Sequence, residues 1–225
     1  MSKRPYNLTR RKTLLGLAAC LGTTMAARAE CLLTPDSGEG PFYFDPGLVR
    51  TDIRDRQVGA PLQLELQVIR MGDCAVLENA RVDIWHANAF GLYSGYRRQS
   101  GVGDISSQQA MAGDYLRGTQ FTDASGSVSF RTIYPSWYAG RTSHVHFKIM
   151  LDEKGLLASQ VFFPDEINDD VFNNWGPYKG HVAKRSTTNA NDGFLRNGVT
   201  GVVSDVQKLE DGYLASAVIA VDADT

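Results

Sequence analysis

Leu62-Gln63-Leu64-Glu65-Leu66-Gln67-Val68 alternates apolar and polar side chains at every step. Successive side chains of a strand point to opposite faces, so this stretch buries its leucines and Val68 and shows Gln63, Glu65 and Gln67 to water. Arg81-Val82-Asp83-Ile84-Trp85-His86-Ala87 alternates again. Ser127-Val128-Ser129-Phe130-Arg131-Thr132-Ile133 does so after the turn residues Asp123-Ala124-Ser125-Gly126. Ser143 to Leu151 alternates, Ala158 to Phe163 is a short apolar run, and Tyr213 to Val221 ends the series. Only Ser106 to Leu116 has a helical pattern, a weak one, and Asp165 to Arg196, rich in Asn, Asp and Gly, reads mostly as loop. Many short strands with turn-rich links indicate an all-β sandwich or barrel, and an antiparallel β-sandwich of one domain is the expected architecture. No internal repeat or low-complexity linker divides it.

The 225 residues carry 23 Lys and Arg against 25 Asp and Glu, and 43% are hydrophobic, enough for a substantial core. Residues 1–29 hold six of the basic residues and none of the acidic ones, leaving 17 basic side chains against 25 acidic in the remainder. A body of that charge does not suit nucleic acid, whose phosphates call for clustered Lys and Arg. The basic start reads as an export signal. Arg10-Arg11 precedes an apolar run from Leu14 to Met25, and Ala27-Arg28-Ala29 is a small-x-small cleavage signature ahead of Glu30. The expectation is a twin-arginine signal over 1–29, a mature domain over 30–225, and a periplasmic or secreted product. Leu17-Ala18-Ala19-Cys20 resembles a lipobox and leaves a lipid anchor on Cys20 as the alternative. The apolar run falls short of the roughly 20 residues that span a bilayer, and no later stretch is long enough, so no transmembrane segment is expected. In an oxidising compartment Cys31 and Cys74 are expected to pair, two free buried thiols being the alternative.

The chemistry lies between Trp85 and Gln160. His144-Val145-His146 puts two imidazoles on one strand face, with Val145, Phe147 and Ile149 on the other. Such a pair can serve one metal ion, or can simply be exposed. Tyr93, in Gly91-Leu92-Tyr93-Ser94, and Tyr138, in Pro135-Ser136-Trp137-Tyr138, stand at the ends of predicted strands, where loops converge. A phenol keeps its proton to pH ~10, but a hard trivalent ion stabilises the phenolate. His86 alternates opposite Trp85 and reads as a hydrogen-bonded structural histidine, and His181 as a solvated loop residue. Phe162-Phe163 reads as core. Asp165 to Asp170 lacks EF-hand spacing and reads as a solvated surface.

Asp83-Ile84-Trp85-His86-Ala87-Asn88 with Gly91-Leu92-Tyr93-Ser94 resembles the intradiol ring-cleavage dioxygenases. So do Thr122-Asp123-x-x-Gly126, Pro135-x-x-Tyr138 and Arg141-x-x-His144-Val145-His146, in order and spacing, and the likeness runs from about Leu33 to Glu166. The resemblance implies that Tyr93, Tyr138, His144 and His146 are the four protein ligands of a non-haem Fe(III). Arg141 stands at the family's active-site arginine, Gln160 at a polar position beside the substrate, and Tyr43, in Glu39-Gly40-Pro41-Phe42-Tyr43, at a position that touches substrate. Two departures bear on the substrate: Trp137 replaces the glycine usual in the catechol enzymes, and Thr142-Ser143 replaces Pro-Ala. The helical N-terminal extension through which catechol-type members dimerise is not expected here. The chain resembles the smaller secreted members, and a homo-oligomer is left open.

The implied reaction joins a catechol-type substrate and O2, cleaving the ring between the two hydroxylated carbons to a muconate-type diacid. A chelating catechol must lose two protons: the resemblance implies a hydroxide on the iron that takes one, and makes Tyr138 the tyrosinate that departs and collects the other. Arg141 would stabilise the developing negative charge. Two other readings use the same residues: a different metalloenzyme, against which phenolate ligation weighs if the metal is zinc, and a non-catalytic secreted β-sandwich binding module.

Overall fold

The computed structural model describes residues 31–96, 99, 113–181, 184–196 and 201–223. The predicted signal, Cys20 and most of the Ser106–Leu116 stretch lie outside them. The alternating stretches form β1 (Pro61–Arg70), β2 (Arg81–His86), β4 (Ser127–Ile133) and β5 (His144–Leu151), the short apolar run lies in β6 (Lys154–Phe162), and the last stretch forms β9 (Gly212–Val221). Three further strands, β3 (Arg117–Phe121), β7 (Val202–Val203) and β8 (Asp205–Leu209), lack a clear period. They make two layers, one ordered β4-β1-β9-β8 and the other β3-β2-β5-β6-β7. Leu62, Leu64, Leu66 and Val68 of β1 pack across the gap with Val82, Ile84, Phe147, Ile149 and Val161 of the second sheet in one buried cluster. Most pairs are antiparallel, but β1 and β9 run parallel from Leu62↔Tyr213 to Arg70↔Val221. A parallel pair needs a long crossover, and here nearly the whole domain intervenes.

One expectation is corrected. The segment after β6 is largely helical, with α1 (Asp165–Asn174) followed by the short turns α2 (Gly176–Lys179) and α3 (Gly193–Arg196). Its Asn and Asp content hid this, since those residues favour turns and caps. The acids Asp165 and Glu166 instead occupy the first turn of α1, where negative charge suits the helix dipole. Its buried face is Asn168, Val171 and Phe172. Asn168 is fully buried because its side chain accepts from the Tyr134 hydroxyl (2.9 Å) and donates to the Phe163 carbonyl (3.2 Å).

An arm over 31–45 lies across the outer face of the second sheet. Cys31 is joined to Cys74, Cα to Cα 5.6 Å, across a separation of 43 residues. The Thr34 amide donates to the Ala220 carbonyl and the Ser37 amide to the Ala158 carbonyl, both at 2.9 Å. Closing such a loop stabilises a fold by about 2–4 kcal/mol. Exported protein is therefore expected to show neither cysteine alkylated under non-reducing mass spectrometry. Changing both to serine should lower the melting temperature. Two alkylatable thiols in the exported chain would contradict the staple.

Candidate metal centre

β2, β5 and β6 pair so that Trp85, His146 and Gln160 form one cross-strand row. The row lies on the face turned away from the main core. The Trp85 ring stacks on His146 (centroids 5.0 Å, 9° between planes), and the arm covers the row. A Cβ on Gly40, at φ +70°, would come within 3.2 Å of His146 Cε1, so a residue without a side chain lets the arm press onto the imidazole. The two tyrosines arrive on loops. Gly91, at φ +77°, brings the Tyr93 loop against the Tyr138 loop; a Cβ there would fall 2.6 Å from the Trp137 carbonyl oxygen.

The expected ligand residues converge. Tyr93 Oη lies 3.2 Å and Tyr138 Oη 3.3 Å from His144 Nε2. His144 Nδ1 sits 2.7 Å from the Thr142 carbonyl oxygen, which can only accept, so Nδ1 carries the proton and Nε2 presents its lone pair between the phenols. The His144 and His146 rings are 4.9 Å apart. Both ring nitrogens of His146 are buried without a hydrogen-bond partner. An orphaned imidazole of that kind is costly unless something ligates it. Among the described residues no three His, Cys, Asp or Glu side chains come together in a metal-binding group. A metal set here depends on the phenols, a donor type suited to a hard trivalent ion and poorly suited to zinc.

The electrostatics point the same way. Burial, and then the Arg141 charge, hold both His144 and His146 well below the usual imidazole range, so each offers a neutral nitrogen with no proton to lose. Burial pushes the Tyr93 phenol well above 10 and raises Tyr138 as well, where Arg141 opposes the rise. In the protein alone all four donors are neutral. A highly charged cation is what would turn the phenols into phenolates.

Arg141 and Gln160 are brought to this set. Arg141 Nη1 points at Tyr138 Oη (3.4 Å), and Nη2 donates to Gln160 Oε1. Gln160 Nε2 donates to Ser37 Oγ of the arm (3.1 Å). Tyr43 is not brought in. Its ring packs on Trp85 (4.7 Å) and its hydroxyl donates to Asp83 (2.8 Å). The neighbouring Phe42 instead stacks on Tyr93 (4.5 Å) and meets Tyr138 edge-on (6.5 Å). Strand alternation does not govern an irregular arm, so no local period marks which of the two adjacent aromatics faces inward.

His86 is the structural histidine expected: Nδ1 meets the Ala87 carbonyl (2.9 Å), Nε2 meets Thr132 Oγ1 (2.7 Å), and burial depresses its pKa to about 4. His181 differs from expectation. Its ring stacks on Trp137 (4.2 Å), and Nε2 lies 3.0 Å from the Trp137 carbonyl oxygen. Trp137 itself packs on Phe172 (4.5 Å). Trp137 thus ties the Tyr138 loop to α1.

The chain matches the family model Dioxygenase_C, described as Dioxygenase, over residues 35–196. A chlorocatechol 1,2-dioxygenase of Cupriavidus pinatubonensis is 28% identical over 158 residues, 60% of this chain and 57% of that protein. The chain therefore spans somewhat over half the length of that relative. Among solved structures, an intradiol ring-cleavage dioxygenase from Tetranychus urticae is 26% identical, with a TM-score of 0.74 over 87% of this chain and 96% of the other. The dioxygenase domain of a dioxygenase carbohydrate-binding protein fusion from Streptomyces sp. SirexAA-E is 28% identical, with a TM-score of 0.60 over 84% and 98%.

Proposed function

The chain belongs to the intradiol ring-cleavage dioxygenase family, and from that membership we propose that it is a non-haem Fe(III) dioxygenase acting on a catechol-type aromatic. Both atoms of O2 enter the product, a muconate-type diacid opened between the two hydroxylated carbons. The observation that carries this reading is the meeting of Tyr93 Oη, Tyr138 Oη and His144 Nε2 within 3.3 Å, beside the unpartnered nitrogens of His146. Those four side chains would hold the iron. When bound, Fe(III) supplies the Lewis acidity that lets a catechol chelate as its dianion.

The remaining roles belong to the protein. Tyr138 is the less enclosed phenol, half-buried where Tyr93 is 1% exposed, and it alone has Arg141 against its oxygen. Its oxygen is the one placed to take up a substrate proton, and of the two phenols that would hold the iron it is the one free to give way. Arg141 directs its guanidinium to the same oxygen and stabilises negative charge that grows on the ring. Gln160 holds the guanidinium from the other side, and Phe42 with the arm screens the set from water. The twin-arginine reading of residues 1–29 adds export to the periplasm or beyond, with cleavage after Ala29.

Turnover under ¹⁸O2 tests the reaction. A catechol substrate should yield a ring-opened diacid carrying both labelled atoms. A product with one label, or a quinone with none, would contradict intradiol insertion.

A further inference from the structure

We infer that Asp192 is a positioning residue that fixes Arg141 in its working orientation. Asp192 is fully buried, in the turn before α3. Its own turn needs only part of it. The backbone amide donates to the Thr188 carbonyl, the carbonyl accepts from the Arg196 amide, and Oδ1 accepts from the Phe194 amide, each at 2.9 Å. Oδ2 reaches out of the turn. It accepts from Arg141 Nε (3.0 Å) and from the Thr142 amide (2.8 Å).

The guanidinium is held on three sides. Asp192 takes Nε, Gln160 takes Nη2, and the Phe194 ring lies 4.2 Å from the central carbon. Nη1 is left facing Tyr138 Oη. An arginine side chain has many rotamers, and ordering one donor among them requires fixed partners. The carboxylate is also the buried counter-charge of a side chain that is itself only 13% exposed. The same Oδ2 holds Thr142, whose carbonyl accepts from His144 Nδ1. Asp192 thus stands behind Arg141 directly and behind a candidate ligand at one remove. Arg141 is the part that matters for rate.

The catalytic consequence rests on the dioxygenase reading, whereas the positioning rests on geometry alone, so the test has a readout for each. Asp192→Ser keeps a side-chain oxygen able to cap the Phe194 amide, but is too short to reach Arg141. Its crystal structure should show the guanidinium displaced from Tyr138 and Gln160. Its kcat on catechol should fall about 10–100-fold, the scale for a misplaced catalytic group, with KM and iron content close to wild type. Asp192→Asn, whose one amide oxygen can still accept from Arg141 Nε and the Thr142 amide while its NH2 gives up the Phe194 cap, should recover most of the rate. An unmoved guanidinium would overturn the inference, as would an unchanged kcat in an active enzyme. A rate loss that tracks iron loss would show that Asp192 acts through His144 instead. An Asn variant as slow as the Ser variant would assign the effect to charge and not to position. If the wild-type protein turns over no catechol, the functional reading fails and the displaced or unmoved guanidinium still decides the positioning.

Discussion

Tyr138→Phe is expected to lower catechol turnover by about 10²–10⁴-fold, the span for losing a positioned proton acceptor, while leaving iron bound. The variant loses one phenolate, so its visible absorbance should weaken and shift. Tyr93→Phe should act differently. Tyr93 is fully enclosed and stacked under Phe42, so it lacks the room to leave a metal. Its loss should chiefly weaken iron retention. Anaerobic addition of catechol separates the two. In the wild type and in Tyr93→Phe reloaded with iron, the Tyr138 phenolate should leave and gain a proton. A complex that keeps Tyr138 bound, with proton uptake abolished only in Tyr93→Phe, would reverse the assignment.

Arg141→Lys should cost about 10²–10³-fold in kcat, as removal of one donor aimed at developing charge does elsewhere. Lysine keeps a cation for the buried Asp192, so the fold is not left with an unpaired carboxylate. It lacks the planar fork that meets Asp192, Gln160 and Tyr138 at once. Iron content should be unchanged, because Arg141 is not among the candidate ligands. A lysine variant with wild-type kcat would show that a positive charge alone suffices there.

What the sequence made legible follows from how each part is encoded. β1 and β4 alternate because one face is core and the other water, whereas β2 and β5 alternate between the core and the face that carries the candidate site, which the arm buries. β3 has no such period: Gly118 packs so closely against Ile53 that a Cβ would come within 2.6 Å of it. β8 lies at the sheet edge, mostly exposed, and carries little hydrophobic signal. α1 was hidden because a buried asparagine, satisfied by Tyr134 and Phe163, fills a place where an apolar residue would have marked the helix. The meeting of Tyr93, Tyr138, His144 and His146 was legible because strand geometry fixes the two histidines and short motifs carry the tyrosines. Asp192 was not, since Asn191-Asp192-Gly193 reads as an ordinary turn and its partner lies 51 residues away. Phe42 and Tyr43 could not be told apart for a similar reason: the arm's course is set by the disulfide and by contacts with β6 and β9, not by a local period.

Two phenols and two imidazoles are proposed to hold one ferric ion. Metal analysis and the visible spectrum of purified exported protein address it together. About one iron per chain is expected, with a burgundy colour from tyrosinate-to-Fe(III) charge transfer that is lost on chelation and restored by iron. A folded protein that stays colourless after iron reconstitution would contradict it.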